Sequence, residues 1–178
     1  MVPGRSCDGC VVCCVVPPVK SPEFSKTSGV ACQHCDTAAG CAIYATRPNV
    51  CREFLCGWRS LPFLDDRWKP EACGLLVLPD KNDIPLDFER RVGLAIIAFR
   101  ARGDLQHRFV VEMLAGLVAG KAPVFLSVPG PPGFDFAKTL LNPLLDQAVE
   151  ARDGQRIEAV LTSTYDRLAG GSFRPLPA

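Results

Sequence analysis

The sequence predicts an α+β protein, mainly helical, in which a Cys-rich irregular segment packs on a C-terminal helical part with a few short strands. Three observations predict it. All ten cysteines lie between Cys7 and Cys73, so one end of the chain is chemically specialised and the other is ordinary. Apolar residues after Leu86 recur at helical spacing, and two short apolar runs bounded by Gly or Pro read as strands. A chain of 178 residues that is 48% hydrophobic can build one core. Residues 1–59 and 60–178 are therefore expected to pack as one globular unit.

In residues 1–59, Pro17-Pro18, Pro22, Gly29, Gly40 and Pro48 cut every periodic pattern short, so this segment has little core material of its own. Residues 60–85 form a bridge in which Leu75 to Leu78, between Gly74 and Pro79, reads as a strand. From Leu86 a first helix is expected, with Asp87 as N-cap and Val92, Ala95, Ile96 and Phe99 on one face. Gly103-Asp104 restarts a second helix, striped by Leu105, Phe109, Met113, Leu114, Leu117 and Val118 as far as Gly120. Pro123 to Val128 reads as another strand, reversed by the loop PGPPG. A third helix starts near Pro143 with Asn142 as cap, and a fourth runs from Gln155 to Leu168 until Gly170-Gly171 ends it. The tail SFRPLPA is too short and Pro-rich for a helix.

Net charge is +1, from 20 basic and 19 acidic residues, which leaves no electrostatic footprint for a nucleic-acid partner. The opening MVPGRSCDGCVVCCVVPP lacks the long apolar run and cleavage site of a signal peptide, and no run of 18 apolar residues follows. The expectation is a cytoplasmic protein with no membrane partner. In that reducing setting, thiols clustered at short intervals favour metal ligation over disulfides.

Cys7-x-x-Cys10-x-x-Cys13-Cys14 opens the cluster. A Cys-x-x-Cys turn curls the backbone around an ion so that two thiolates converge on it, which is why the spacing recurs in zinc and iron–sulfur sites. Cys14 follows Cys13 at once, so the run departs from the bacterial ferredoxin pattern. Adjacent cysteines reach one tetrahedral ion only with an unusual backbone; Cys13 and Cys14 either serve two neighbouring metals or divide into one ligand and one packing residue. The second half of the cluster is Cys32-Gln33-His34-Cys35, Cys41-Ala42-Ile43-Tyr44, Arg47-Pro48, and Cys51-Arg52-Glu53-Phe54-Leu55-Cys56.

CxxCxxCC, then CxH, then CxIYxxRPxxCRxFxC resembles the YkgJ-like CxxCxxCC family of zinc- or iron-chelating proteins, across residues 7–58. The resemblance implies eight metal-ligating cysteines: Cys7, Cys10, Cys13, Cys14, Cys32, Cys41, Cys51 and Cys56. It also covers Tyr44, Arg47 and Pro48. The family usually carries Leu where this chain has Cys35, and Cys73 falls outside the pattern; these two and His34 rank behind the eight as ligands. Members of the wider group resemble flagellin lysine N-methylases, for which an iron–sulfur cofactor has been proposed, and this suggests iron.

Eight thiolates bring more negative charge than two divalent ions cancel, so positive side chains are expected around the cofactor. Arg47 and Arg52 are the candidates, with Arg59 nearby in sequence. Trp58, Phe63 and Trp68 are expected in the core rather than at the site. The sequence contains no GxSxG, HExxH, Walker loop or GxGxxG. Three roles follow: an iron–sulfur protein with redox or cofactor-supported chemistry, a structural zinc module that binds a protein partner, and a metal chelator or carrier. Whether the protein is an enzyme stays open.

Overall fold

The computed structural model describes residues 1–7 and 9–176. Its centre is a four-stranded sheet, β5 (Leu75–Asp80), β6 (Gly93–Ala98), β7 (Val124–Val128) and β8 (Ala137–Leu140), in that spatial order. β5 and β8 run antiparallel to their neighbours, and β6 and β7 are parallel. Helix α5 (Arg108–Ala119) makes the crossover between the parallel pair; α6 (Asn142–Glu150) and α7 (Gly154–Ala169) follow the sheet.

Side-chain alternation assigns the two faces of the sheet. Leu75, Val77, Leu94, Ile96, Val124 and Leu126 point into the main core with Leu114 of α5, Leu145 of α6 and Leu161 of α7. The intervening residues point the other way. Leu76 and Ile97 pack on Val12 and Val16, while Ala95 and Phe125 cover Ile84. Through Val12 and Val16 the N-terminal segment therefore rests on the face of the sheet opposite the helices, while Trp58 reaches the main core.

This arrangement corrects the helix expected from Leu86. Residues 93–98 form β6, all six positions buried, and Asp87 caps nothing. A central strand covered on both faces is apolar at every position, so Gly-Leu-Ala-Ile-Ile-Ala satisfies helical and strand periods alike. Asn142 is corrected too. It lies inside α6, after the N-cap Leu141, and makes no cap hydrogen bond. Its buried amide instead accepts from the Val124 N–H and donates to the Ala122 carbonyl, each at 2.9 Å, holding the start of β7. β8 was not foreseen, and the second helix, expected from Gly103-Asp104, begins only at Arg108 after a 3-10 turn over Arg102–Gln106; the strands at 75 and 124, the helices after residues 141 and 153, and the PGPPG reversal agree with the pattern.

The N-terminal third is built of small pieces: helix α1 (Val12–Val15), the ribbon β1 (Val19–Lys20) with β2 (Ser25–Lys26), and the ribbon β3 (Cys35–Asp36) with β4 (Gly40–Cys41). Short helices α2 (Asn49–Glu53), α3 (Gly57–Ser60) and α4 (Pro70–Cys73) lead into the sheet. α4 ends on Gly74 in the left-handed region at φ +73°, where a Cβ would strike the Asp104 carboxylate. Among the described residues, no helix is long and apolar enough to cross a membrane.

Candidate functional site

All ten cysteines carry free thiols, and eight of them line one cavity of about 360 Å³: Cys7, Cys10, Cys13, Cys14, Cys32, Cys41, Cys51 and Cys56. Its floor includes Leu76 of β5, so the sheet closes the pocket from below. His34 also lines it. Cys35 and Cys73 do not.

Local geometry explains how each piece arrives. The Cys10 N–H donates to the Cys7 carbonyl at 3.0 Å, closing the first Cys-x-x-Cys turn. Cys13 and Cys14 follow in α1, which is anchored on the sheet through Val12. The Cys32 N–H donates to the Cys14 carbonyl and the Cys35 N–H to the Cys32 carbonyl, both at 2.9 Å. Cys41 lies directly across the β3–β4 ribbon from Cys35. Pro48 precedes α2, which carries Cys51, and Cys56 is the N-cap residue of α3.

A strap over α3 fixes the front edge. Arg5 donates to the carbonyls of Trp58, Leu61 and Leu64, satisfying groups that the short helix leaves open, and lies over the Trp58 ring. Trp58 and Trp68 are buried in the main core, as expected, while Phe63 is exposed.

The thiols are electrostatically unequal. Burial, reinforced by the Glu71 carboxylate bonded to its sulfur, pushes the Cys10 thiol up to about 12. Burial also raises Cys51 and Cys56. Cys13 and Cys14 share a hydrogen bond: Cys13 is held protonated, and Cys14 is drawn down to about 6 by the bond from Cys13, a second bond from Cys35 and the charge of Lys26. The bond from Cys13 is the largest of these effects, and the charge of Lys26 adds to it. A bound cation would reverse this preference for neutral thiols, since metal binding deprotonates the ligands it takes.

Positive charge reaches the cavity by routes that the sequence did not rank first. Arg47 lines it and stacks on Tyr44, 3.9 Å from the ring centroid; Arg52 is exposed and outside the lining. Arg59 is buried at 8% exposure, lines the cavity, and touches the Met1 thioether at 2.7 Å. Its Nε has no hydrogen-bond partner among the described residues. Lys26 also lines the pocket, its ammonium within hydrogen-bond distance of four carbonyls, those of Val15, Pro17, Thr27 and Val30, the nearest being Pro17 at 2.6 Å. No motif marks Lys26 or Glu71, because what brings them to the thiols is the folding back of β2 and of α4.

Cys73 is 3% exposed, packs in the main core and points its thiol at the Leu75 carbonyl, the role of a small apolar residue. Cys35 contacts Cys14 from outside the lining. His34 turns its Nε2 to Gln33, and its N–H donates to the Cys32 sulfur at 3.4 Å. Among the described residues, no three Cys, His, Asp or Glu side chains already converge on one ion position. Rotation about χ1 repositions each sulfur without moving the backbone. The donor chemistry fits a thiophilic metal, with eight sulfurs around one pocket and a buried guanidinium nitrogen left unpaired beside them. Comparison with protein-family models, with curated proteins and with solved structures finds no match.

Proposed function

We propose that this protein binds zinc or iron, the iron as ions or as an iron–sulfur cluster, through the thiolates of Cys7, Cys10, Cys13, Cys14, Cys32, Cys41, Cys51 and Cys56. The observation that carries the reading is selective lining: these eight border one cavity, and the two cysteines outside the motif do not. The resemblance of residues 7–58 to the CxxCxxCC family supports the same assignment, and a reducing cytoplasm would keep the thiols available. Arg47 adds positive charge at the rim. Zinc would staple a core-poor segment, with apparent binding free energies of about 10–16 kcal/mol in peptide systems, whereas an iron–sulfur cluster would add redox capacity.

A second reading, metal carrier, is favoured by one feature: each of the eight thiols keeps partial solvent exposure, which suits exchange. Anaerobic purification followed by metal and acid-labile sulfide analysis and a visible spectrum tests the proposal. Stoichiometric zinc or iron retained through gel filtration is the expected result. A chain that is metal-free and takes up neither ion would overturn it. A colourless protein with zinc and no sulfide removes the redox role, and rapid loss to a weak chelator with the fold intact selects the carrier.

A further inference from the structure

We infer that Cys35 and Cys41 form a redox-modification site: hydrogen peroxide joins them as a cross-strand disulfide, and the bond withdraws Cys41 from the cavity. The crosslink depends on the geometry of the β3–β4 ribbon alone. Its effect on metal rests on the metal-binding reading and deepens it by naming the sulfur at which oxidation acts.

The register sets the pair. Cys35 and Cys41 are direct partners in the antiparallel ribbon, followed by Asp36 with Gly40. The Ala42 N–H donates to the His34 carbonyl at 2.9 Å, one position outside the pair, so Cys35 and Cys41 occupy a non-hydrogen-bonded position. Partners at such a position lie about 4.5 Å apart between Cα atoms, with both side chains on one face and closer together than at a hydrogen-bonded position. A disulfide spans about 4.4–6.8 Å between Cα atoms, so rotation of the two side chains suffices to close the bond.

The turn holds this register without help from a core. The Asp36 carboxylate accepts from the N–H groups of Ala38 and Ala39 at 2.8 and 3.0 Å, and Gly40 takes φ +99°, a conformation that residues with a Cβ rarely adopt. Residues 36–39 are exposed and both thiols keep partial exposure, so an oxidant in solution reaches them. Cys73, buried in the main core at 3% exposure, offers no such access. Of the pair, Cys41 lines the cavity and Cys35 does not, although both point to the same face of the ribbon. Two other sulfurs lie near Cys35. Cys32 stands in the turn before it, its sulfur accepting the His34 N–H at 3.4 Å, and Cys14 belongs to α1. The ribbon places neither opposite Cys35.

The chemistry is a two-electron oxidation. One thiol attacks the O–O bond of hydrogen peroxide, becomes a sulfenic acid and releases water; the second thiol attacks that sulfur, the S–S bond forms and a second water leaves. Two electrons pass from the sulfurs to the peroxide, and both thiol protons end in the waters. The thiolate is the form of cysteine that a metal takes, so Cys41 in the disulfide is lost as a ligand.

The test treats the reduced chain, with no metal added, with one equivalent of hydrogen peroxide and alkylates the remaining thiols. Cleavage after Lys26 and Arg47 and before Asp36 places Cys32 and Cys35 on peptide 27–35 and Cys41 alone on peptide 36–47. Mass spectrometry is expected to find these two peptides joined, with Cys32 alkylated. Cys35 found alkylated, or joined to Cys14 or Cys32, overturns the inference. A second arm loads the wild type and Cys35→Ser with Zn²⁺ and reads zinc release to a chromogenic chelator during the same treatment. The wild type is expected to release zinc and Cys35→Ser to retain it. Equal release from both overturns the withdrawal of Cys41 and leaves zinc binding standing. A wild type that takes up no Zn²⁺ overturns the effect on metal together with the zinc reading, while the peptides still decide the crosslink.

Discussion

The backbone N–H of Cys32 donates to the carbonyl of Cys14 at 2.9 Å, and this bond joins two parts of the motif that lie 18 positions apart. The Lys26 ammonium, bound to the Val15 and Pro17 carbonyls, ties down the chain just beyond Cys14. The intervening residues 15–31 thus form a closed excursion whose ends are held together by the chain's own hydrogen bonds. Order in this region comes from backbone and ammonium hydrogen bonds, because the local apolar core is limited to Val12 and Val16 against the sheet.

Gly57 is the contact that sets the height of α3 above the sheet: a Cβ there would lie 2.8 Å from the Val77 side chain. Gly57→Val should force α3 off β5 and carry Cys56 and Arg59 with it. The expected cost is about 1–3 kcal/mol, as for overpacking a core, together with lowered metal content. Urea unfolding and metal analysis check it; an unchanged midpoint with unchanged metal would contradict the close packing.

Cys73 and Cys10 should respond differently to substitution. Cys73→Ala removes one buried sulfur from the main core, costs about 1 kcal/mol, and leaves metal content as in the wild type. Cys10→Ser should lose metal. Equal metal content in the two variants would remove the distinction between motif and core cysteines.

Asn142→Ala leaves the Val124 N–H and the Ala122 carbonyl buried without partners. At about 1–3 kcal/mol per unsatisfied group, a loss of roughly 2–4 kcal/mol is expected in chemical denaturation. Asn142→Asp keeps the acceptor but not the donor and should fall between. A loss below about 0.5 kcal/mol for the alanine variant, the size expected of an ordinary surface change, would show that the amide is not holding β7.

The Arg174 guanidinium beside Asp135 holds its carboxyl below the usual carboxylate range. Because the folded value lies below the unfolded one, this contribution to stability is complete above about pH 4 and fades as pH falls through the folded value. The same pair flanks the bond from the Asp135 N–H to the Arg174 carbonyl and the bridge of Phe134 with Pro175. Acid should therefore loosen residues 172–176 before the sheet opens. Hydrogen exchange at the Asp135 and Leu176 amides, corrected for intrinsic rates, should show falling protection below pH 4 while Leu126 stays protected; parallel loss at all three would refute it.

Legibility in the sequence followed the range of the signal. The helices after residues 107, 141 and 153 could be read because each keeps an apolar stripe and a terminator within its own length. β6 could not, because burial on both faces erases the alternation that marks a strand. Asn142 was misread for a related reason: its polar side chain precedes a proline at a helix start, as a cap would, yet its partners are 18 and 20 residues away. In the cavity, the eight cysteines could be listed because residues 7–58 resemble a known cysteine motif, whereas Lys26 and Glu71 carry no pattern and are recruited by chain reversal.

By itself, the sequence determined which cysteines cluster at close spacing, that they sit at one end of the chain, and that helices follow. Spacing of a few residues is a local property, and short turns translate it directly into geometry. Only the tertiary structure decided the rest. It put the sheet between the helices and the thiols, separated Cys73 from the other nine, and brought Arg59 and Lys26 to the cavity in preference to Arg52. Those outcomes depend on which surfaces are buried against which, and burial is a sum over residues far apart in the chain.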